Sequence, residues 1–269
     1  MTDIVTKKII ERDLMRIGLA EGDVVYVHSS VKKVGWIEGG IEALADSFLS
    51  VLGSGGTLAV PTHTYSYMGK DYPPFDHANS VSRTGAFTEA VRKHRGALRS
   101  GHASHSSAAI GKFAAYLTEN HDPANALGNE SPLYRVYALG GKVLLMGVTQ
   151  KSNTMLHLAE ELSGVKYTEL CYDETLSDKV YEILPDGSIT ETTQLKFPGC
   201  SGSFNAINES LTRAGAMNIG KIGNADSYLI NARAMVEIAV AIIKETPDFF
   251  LCRSAGCPCC PRRREYMKK

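Results

Sequence analysis

Apolar residues at Ile9, Ile10, Leu14 and Ile17 recur at helical steps, so residues 3–18 read as an amphipathic helix that Gly18 stops. Glu21-Gly22-Asp23 then turns the chain into Val24-Val25-Tyr26-Val27, an apolar run typical of a buried strand. His28-Ser29-Ser30 and a loop with Lys32 and Lys33 follow, and helical spacing resumes from Ile41 to Leu52. Gly53-Ser54-Gly55-Gly56 makes a turn, and residues 57–60 form a second apolar strand ending at Pro61-Thr62. Strand, polar loop, helix, turn and strand make a βαβ unit. Ligands of such folds bind at the carboxyl ends of the strands, which draws attention to the His28-Ser29-Ser30 loop.

Further along, residues 63–82 are rich in Tyr, Gly, Pro and Asn and predict a long irregular loop, large enough to serve as a lid. Residues 84–94 and 113–121 read as helices, residues 108–111 and 143–148 as strands. Residues 167–195 alternate as hairpin strands around Pro185-Asp186-Gly187, and residues 228–246 read as one long helix with an apolar face. The expectation is an α/β fold of mixed α+β character: a central mixed sheet flanked by helices, with a smaller antiparallel hairpin region in the second half. Neither repeat, low-complexity segment nor linker interrupts the pattern, so residues 1–253 are expected to form one domain, followed by a Cys/Arg-rich tail at 254–269.

Charge changes this picture little. Twenty-nine basic and 29 acidic residues cancel, so no global field draws the chain to nucleic acid or to an anionic membrane. The first eight residues lack the basic and apolar regions of a signal peptide, and no run of about 18 apolar residues offers a membrane span, so a cytoplasmic protein is expected. The 6 cysteines do not form a disulfide framework: Cys252, Cys257, Cys259 and Cys260 crowd together, with only Cys171 and Cys200 elsewhere. The crowded four could bind zinc, but their spacing is neither that of a zinc finger nor of a ribbon, and with Arg262-Arg263-Arg264 they read rather as a surface tail, so no metal is expected.

The most informative chemistry lies in Ser152-Asn153-Thr154-Met155-Leu156-His157-Leu158-Ala159-Glu160-Glu161. Three residues able to cap a helix precede good helix formers, which places His157 near the first turn with Glu160 or Glu161 one turn on. A histidine so paired can take a proton near neutral pH. The His28-Ser29-Ser30 loop offers hydroxyls and amides suited to phosphate, although neither a Walker pattern nor G-x-G-x-x-G is present. His102 and His105 stand three residues apart without an H-E-x-x-H motif. Gly199-Cys200-Ser201-Gly202 has the wrong spacing and flanks for a nucleophile elbow.

Eight ordered blocks are similar to the aminoglycoside N-3-acetyltransferase family, antibiotic acetyltransferases whose fold is unrelated to the commoner GNAT type. They are Val27-His28-Ser29-Ser30; Gly53-x-Gly-Gly-Thr57-Leu58 with Pro61-Thr62; Ser82-Arg83-Thr84-Gly85-Ala86-Phe87; and Arg99-Ser100-Gly101-His102-x-x-His105-Ser106. The others are His121-Asp122-Pro123; Ser131-Pro132-Leu133-Tyr134; residues 141–148; and Ser152-Asn153-Thr154-x-Leu156-His157-x-Ala159-Glu160. The resemblance covers residues 8–253 and implies acetyl transfer from acetyl-coenzyme A, as acyl-donor substrate, to an amine, in the best-known members the 3-amino group of a 2-deoxystreptamine ring. It assigns His157 as general base oriented by Glu160 or another carboxylate. Ser29, Ser30 and Val31, with Arg83, Thr84 and Gly85 and the Ser106-Ser107 turn, would border the coenzyme, and His102 and His105 would serve packing or coenzyme contacts. Thr154 or backbone amides would stabilise the oxyanion.

A polycationic acceptor calls for carboxylates. Asp71, Asp76, Asp122, Glu169 and Asp173 lie in suitable loops, though each alone reads as a solvated surface charge. Two other readings stay open: a coenzyme A-binding relative that acts on a different amine or lacks acetyl transfer, and a hydrolase using His157 with a serine. A homodimer is compatible with the apolar elements of such a fold, while nucleic acid and membrane partners are not expected.

Overall fold

Seven strands build the central sheet, in the order Met217–Ile222, Ala225–Asn231, Lys142–Met146, Val24–Ser29, Thr57–Pro61, Ser107–Gly111 and Leu98–Arg99. They belong to a computed structural model of the chain that describes residues 4–66 and 72–269. Val24–Ser29 pairs in parallel with both Lys142–Met146 and Thr57–Pro61, and every other pair in the sheet is antiparallel. The expected central mixed sheet is therefore present, with a parallel trio at its middle.

Alternation along these strands explains why both faces are covered. Val24, Tyr26, Val143, Leu145 and Ile230 face one core, together with the helices Ala114–Thr118, Pro132–Ala138, Met155–Ser163 and Ala232–Glu245. Val25, Val27, Leu58, Val60, Leu144 and Met146 face the other, with Lys7–Ile17, Gly40–Leu52 and Ala86–Lys93. The first of these helices starts later than the apolar pattern suggested, because the Thr6 hydroxyl accepts from the Ile9 amide and caps it.

The long helix expected over residues 228–246 is instead a strand followed by a helix. Ala225–Asn231 pairs with Met217–Ile222 through a turn at Gly223-Asn224, where Gly223 adopts φ +55°. The helix begins at Ala232, capped by the Asn231 side chain accepting from the Ala234 amide at 2.9 Å. Tyr228-Leu229-Ile230 is apolar in either geometry, and pairing with Lys142–Met146 decided for the strand.

The smaller hairpin lies at Lys179–Ile183 and Ile189–Thr193, with Leu184 N–H donating to Ser188 O across the expected turn. Phe75–Asp76 adds a parallel third strand to it. Part of the expected loop at 63–82 is thereby anchored, and His77 Nε2 lies 2.7 Å from the Arg99 carbonyl. Residues 67–71 of that loop lie outside the described residues.

The C-terminal segment is docked on the body, contrary to the expectation of a surface tail. Its helix Cys260–Tyr266 buries Cys260 and Arg263 completely, and Arg263 donates to the carbonyls of Leu170 and Phe197. Among the described residues no helix is long and apolar enough to cross a membrane.

Candidate active site

The helix Met155–Ser163 starts where the Asn153 side chain accepts from the Met155 amide. Asn153 is thus the capping residue, and Thr154 stands free to line the cleft at the positive end of the helix. One turn in, His157 Nδ1 lies 2.6 Å from Glu160 Oε2. Both side chains are buried, and Tyr167 OH donates to the other carboxylate oxygen of Glu160 at 3.0 Å. With Nδ1–H donating to a carboxylate, the imidazole keeps its lone pair on Nε2. The Gly199 amide reaches the same Nδ1 only at 3.4 Å, and the shorter carboxylate contact sets the tautomer. Glu161 faces elsewhere: its Oε1 accepts from Asn125 at 3.4 Å, and its Oε2 is buried with no partner among the described residues. One residue of helical rotation, about 100°, separates these two outcomes.

His157 lines a cleft of ≈ 530 Å³ at the carboxyl ends of the three parallel strands. His28 and Ser29 come from the end of Val24–Ser29, Pro61 and His63 from the end of Thr57–Pro61, and residues 151–154 from the connection after Lys142–Met146. His105 enters ahead of the antiparallel strand Ser107–Gly111, and the Pro198-Gly199-Cys200-Ser201 segment contributes Pro198, Gly199 and Ser201 to the wall. Ser201 Oγ donates to the Lys151 carbonyl at 2.6 Å, which ties this segment to the approach to the His157 helix.

The wall is polar yet carries little charge. Burial pushes His28 down to about 3, and its Nε2 has no hydrogen-bond partner among the described residues. His63 and His105, whose rings lie 4.4 Å apart, are held well below the ordinary histidine range by burial and then by neighbouring histidines. All three are neutral near pH 7. Positive charge comes from Lys151 and from Arg83, whose guanidinium lies over the Tyr72 ring at 4.6 Å. No carboxylate lines the cleft among the described residues.

Of the residues expected to border a coenzyme, Ser29, Arg83 and Thr84 line the cleft. Thr84 is fixed by donating to the Pro61 carbonyl at 2.7 Å, and the neighbouring Gly85 adopts φ +129°, a conformation L side chains rarely take. Ser30 and Val31 stand behind Ser29, where the Ser30 amide donates to Met146 O and Val31 packs on the apolar core. Ser106 and Ser107 are buried in the sheet rather than in the wall. The Ser106 hydroxyl donates to Thr62 O and accepts from Arg99, and the Ser107 hydroxyl bonds Tyr26. His102 is structural, accepting from the Ser104 and His105 amides.

The candidate acidic residues are engaged locally. Asp76 accepts from Ala78 and Asn79, Asp122 from Ala124, Asp173 from Thr175, and Glu169 from Tyr266 and Lys196. Asp71 lies outside the described residues. Sequence reasoning missed His63 and Tyr172, and it weighed residues 199–202 only as a nucleophile elbow. His63 stands two residues past the strand end at Pro61, a position that could have flagged it, whereas nothing local marks Tyr172.

A sequence profile described as aminoglycoside 3-N-acetyltransferase matches residues 26–244. Aminoglycoside N(3)-acetyltransferase VII of Streptomyces paromomycinus is 31% identical over 266 residues, covering 90% of this chain and 92% of the relative. The apoenzyme of aminoglycoside acetyltransferase AAC(3)-IVa superposes with a TM-score of 0.84 at 30% identity, over 98% of both chains. The complex of AAC-IIIb with CoASH gives 0.77 at 27% identity, over 90% of this chain and 98% of the other.

Proposed function

Because the chain belongs to the aminoglycoside 3-N-acetyltransferase family, we propose that it transfers the acetyl group of acetyl-coenzyme A to an amine, the 3-amino group of a 2-deoxystreptamine aminoglycoside. The single observation that carries this reading is the 2.6 Å bond from His157 Nδ1 to Glu160 at the wall of the cleft. It supports His157 Nε2 as the general base. As the amine nitrogen attacks the thioester carbonyl carbon, Nε2 takes an N–H proton and the carbonyl oxygen becomes an oxyanion. The Thr154 hydroxyl, at the positive end of the helix, supports that negative charge. Collapse breaks the C–S bond, and the departing thiolate takes the proton from the imidazolium, which leaves an N-acetyl amide and coenzyme A. Throughout, Glu160 stabilises the imidazolium and keeps the ring in place.

The groups around the base suit the two substrates. Ser29, Thr84, Arg83 and Lys151 give hydroxyls and positive charge for a phosphorylated coenzyme. Neutral His28, His63 and His105 supply hydrogen-bonding nitrogens without repelling a cationic acceptor.

The test is acceptor-dependent release of coenzyme A from acetyl-coenzyme A, measured across aminoglycosides and simple amines. Release is expected with deoxystreptamine compounds, and the product should carry its new acetyl on the 3-amino nitrogen. Replacement of His157 by Ala should lower kcat by about 10²–10⁴-fold with coenzyme binding nearly intact. Release that is independent of any amine, or near-normal turnover of the variant, refutes the assignment.

A further inference from the structure

Four cysteines from two distant stretches of chain converge behind the cleft wall. The Sγ atoms of Cys200, Cys252, Cys257 and Cys260 all lie within 4.8 Å of one another, and those of Cys200 and Cys252 are 3.8 Å apart. All four are free thiols. Sulfurs at the corners of a tetrahedron with zinc–thiolate bonds of ~2.3 Å stand about 3.8 Å apart, so a slight contraction closes this cluster on an ion. Backbone amides already donate to three of the sulfurs: Gly202 to Cys200 at 3.3 Å, Cys252 to Cys260 at 3.2 Å, and Cys260 to Cys257 at 3.4 Å. Such donors stabilise sulfur in its thiolate form.

A second observation points the same way. Arg263, one helical turn beyond Cys260, has no solvent exposure, and its Nε and Nη1 find no hydrogen-bond partner among the described residues. A buried cation needs compensating negative charge. Four thiolates around a divalent ion carry a net charge of −2 and would supply it from the same face of the helix.

We propose that Cys200, Cys252, Cys257 and Cys260 form a structural tetrathiolate zinc site that fastens the C-terminal helix to the segment closing the active-site cleft. Four soft ligands in a tetrahedron select zinc over the hard divalent cations and leave no open coordination position for catalysis. Binding releases four thiol protons to solvent. The site reaches the chemistry through short links. Cys200 adjoins the wall residue Gly199, on which a methyl group would collide with the Arg263 guanidinium. That guanidinium lies over the Tyr167 ring, and the Tyr167 hydroxyl holds Glu160. Cys252, Cys257 and Cys260 alone do not spell a zinc motif in the sequence, because Cys200 lies 52 residues before Cys252.

The full chain, purified without chelator and exchanged into metal-free buffer, is expected to hold about one zinc per chain by plasma mass spectrometry. Cys252→Ser and Cys257→Ser should lose that zinc, while Cys171→Ser, outside the cluster, should keep it. Cobalt exchanged into the wild-type protein should show the visible bands of a tetrahedral thiolate site, and these should be absent from Cys257→Ser. Wild-type protein without stoichiometric metal overturns the proposal. So does iron in place of zinc, or a Cys200–Cys252 disulfide in protein isolated without reductant. The first measurement needs only wild-type protein, so a variant that fails to fold does not blunt the test.

Discussion

Glu160 does two things for His157: its Oε2 holds the ring by Nδ1, and its negative charge balances the imidazolium. Glu160→Gln keeps a single acceptor oxygen, enough for Nδ1 or for Tyr167 but not for both, sets an amide NH2 against the other donor, and removes the negative charge that balances the imidazolium. Turnover is therefore expected to fall by about 10²-fold, at the lower end of a general-base effect, with KM for acetyl-coenzyme A nearly unchanged. Steady-state kinetics with both substrates varied checks this, and a change confined to KM would remove Glu160 from the proton-transfer machinery. The placing of His157 in the first turn of a helix was legible in the sequence because capping residues, helix formers and carboxylates stood together within ten positions. Its partner was not, since Glu160 and Glu161 are equivalent until the helix is placed against Tyr167 and Asn125. Long-range placement likewise turns the Ser106 hydroxyl to the Thr62 carbonyl and the Ser107 hydroxyl to Tyr26, partners that no local pattern announces.

At the level of helices and strands, the βαβ start of the chain was readable because glycine turns and apolar runs punctuate it at short intervals. The hairpin Met217–Ile222 and Ala225–Asn231 was not, because its second strand runs without a break into an apolar helix. Asn231 marks the junction, its side chain accepting from the Ala234 amide. Asn231→Ala should lower stability by about 1 kcal/mol, seen as a lower denaturant midpoint with an unchanged slope. An unaltered midpoint would mean that tertiary packing alone defines the start of that helix. The docked C-terminal helix escaped the sequence for a different reason. Its anchoring partners, Leu170, Phe197 and Cys200, come from far upstream, and no local pattern announces them.

For the molecule as a whole, burial of neutral histidines predicts how the fold responds to acid. His28, His63, His102, His105 and His121 all have lowered values, His28 about 3 and His121 about 4, with burial the leading cause in each. Above pH ~6.5 these groups are neutral in both folded and unfolded chains and add no pH dependence. Below it the unfolded chain binds protons that the native state refuses, so stability falls as the pH drops from ~6.5 toward the lowered folded values. Each such histidine contributes up to about 1.4 kcal/mol per pH unit inside that window. The melting temperature should be clearly lower at pH 5 than at pH 7.5, and a flat profile across that range would show that these histidines ionise within the fold. The parallel trio of strands has a further consequence, for how readily specificity can drift. Its three carboxyl ends deliver loops to one cleft while the strands between them are locked into two separate cores. Selection can therefore rewrite the loops, and with them the acceptor, while the frame that presents His157 stays as it is.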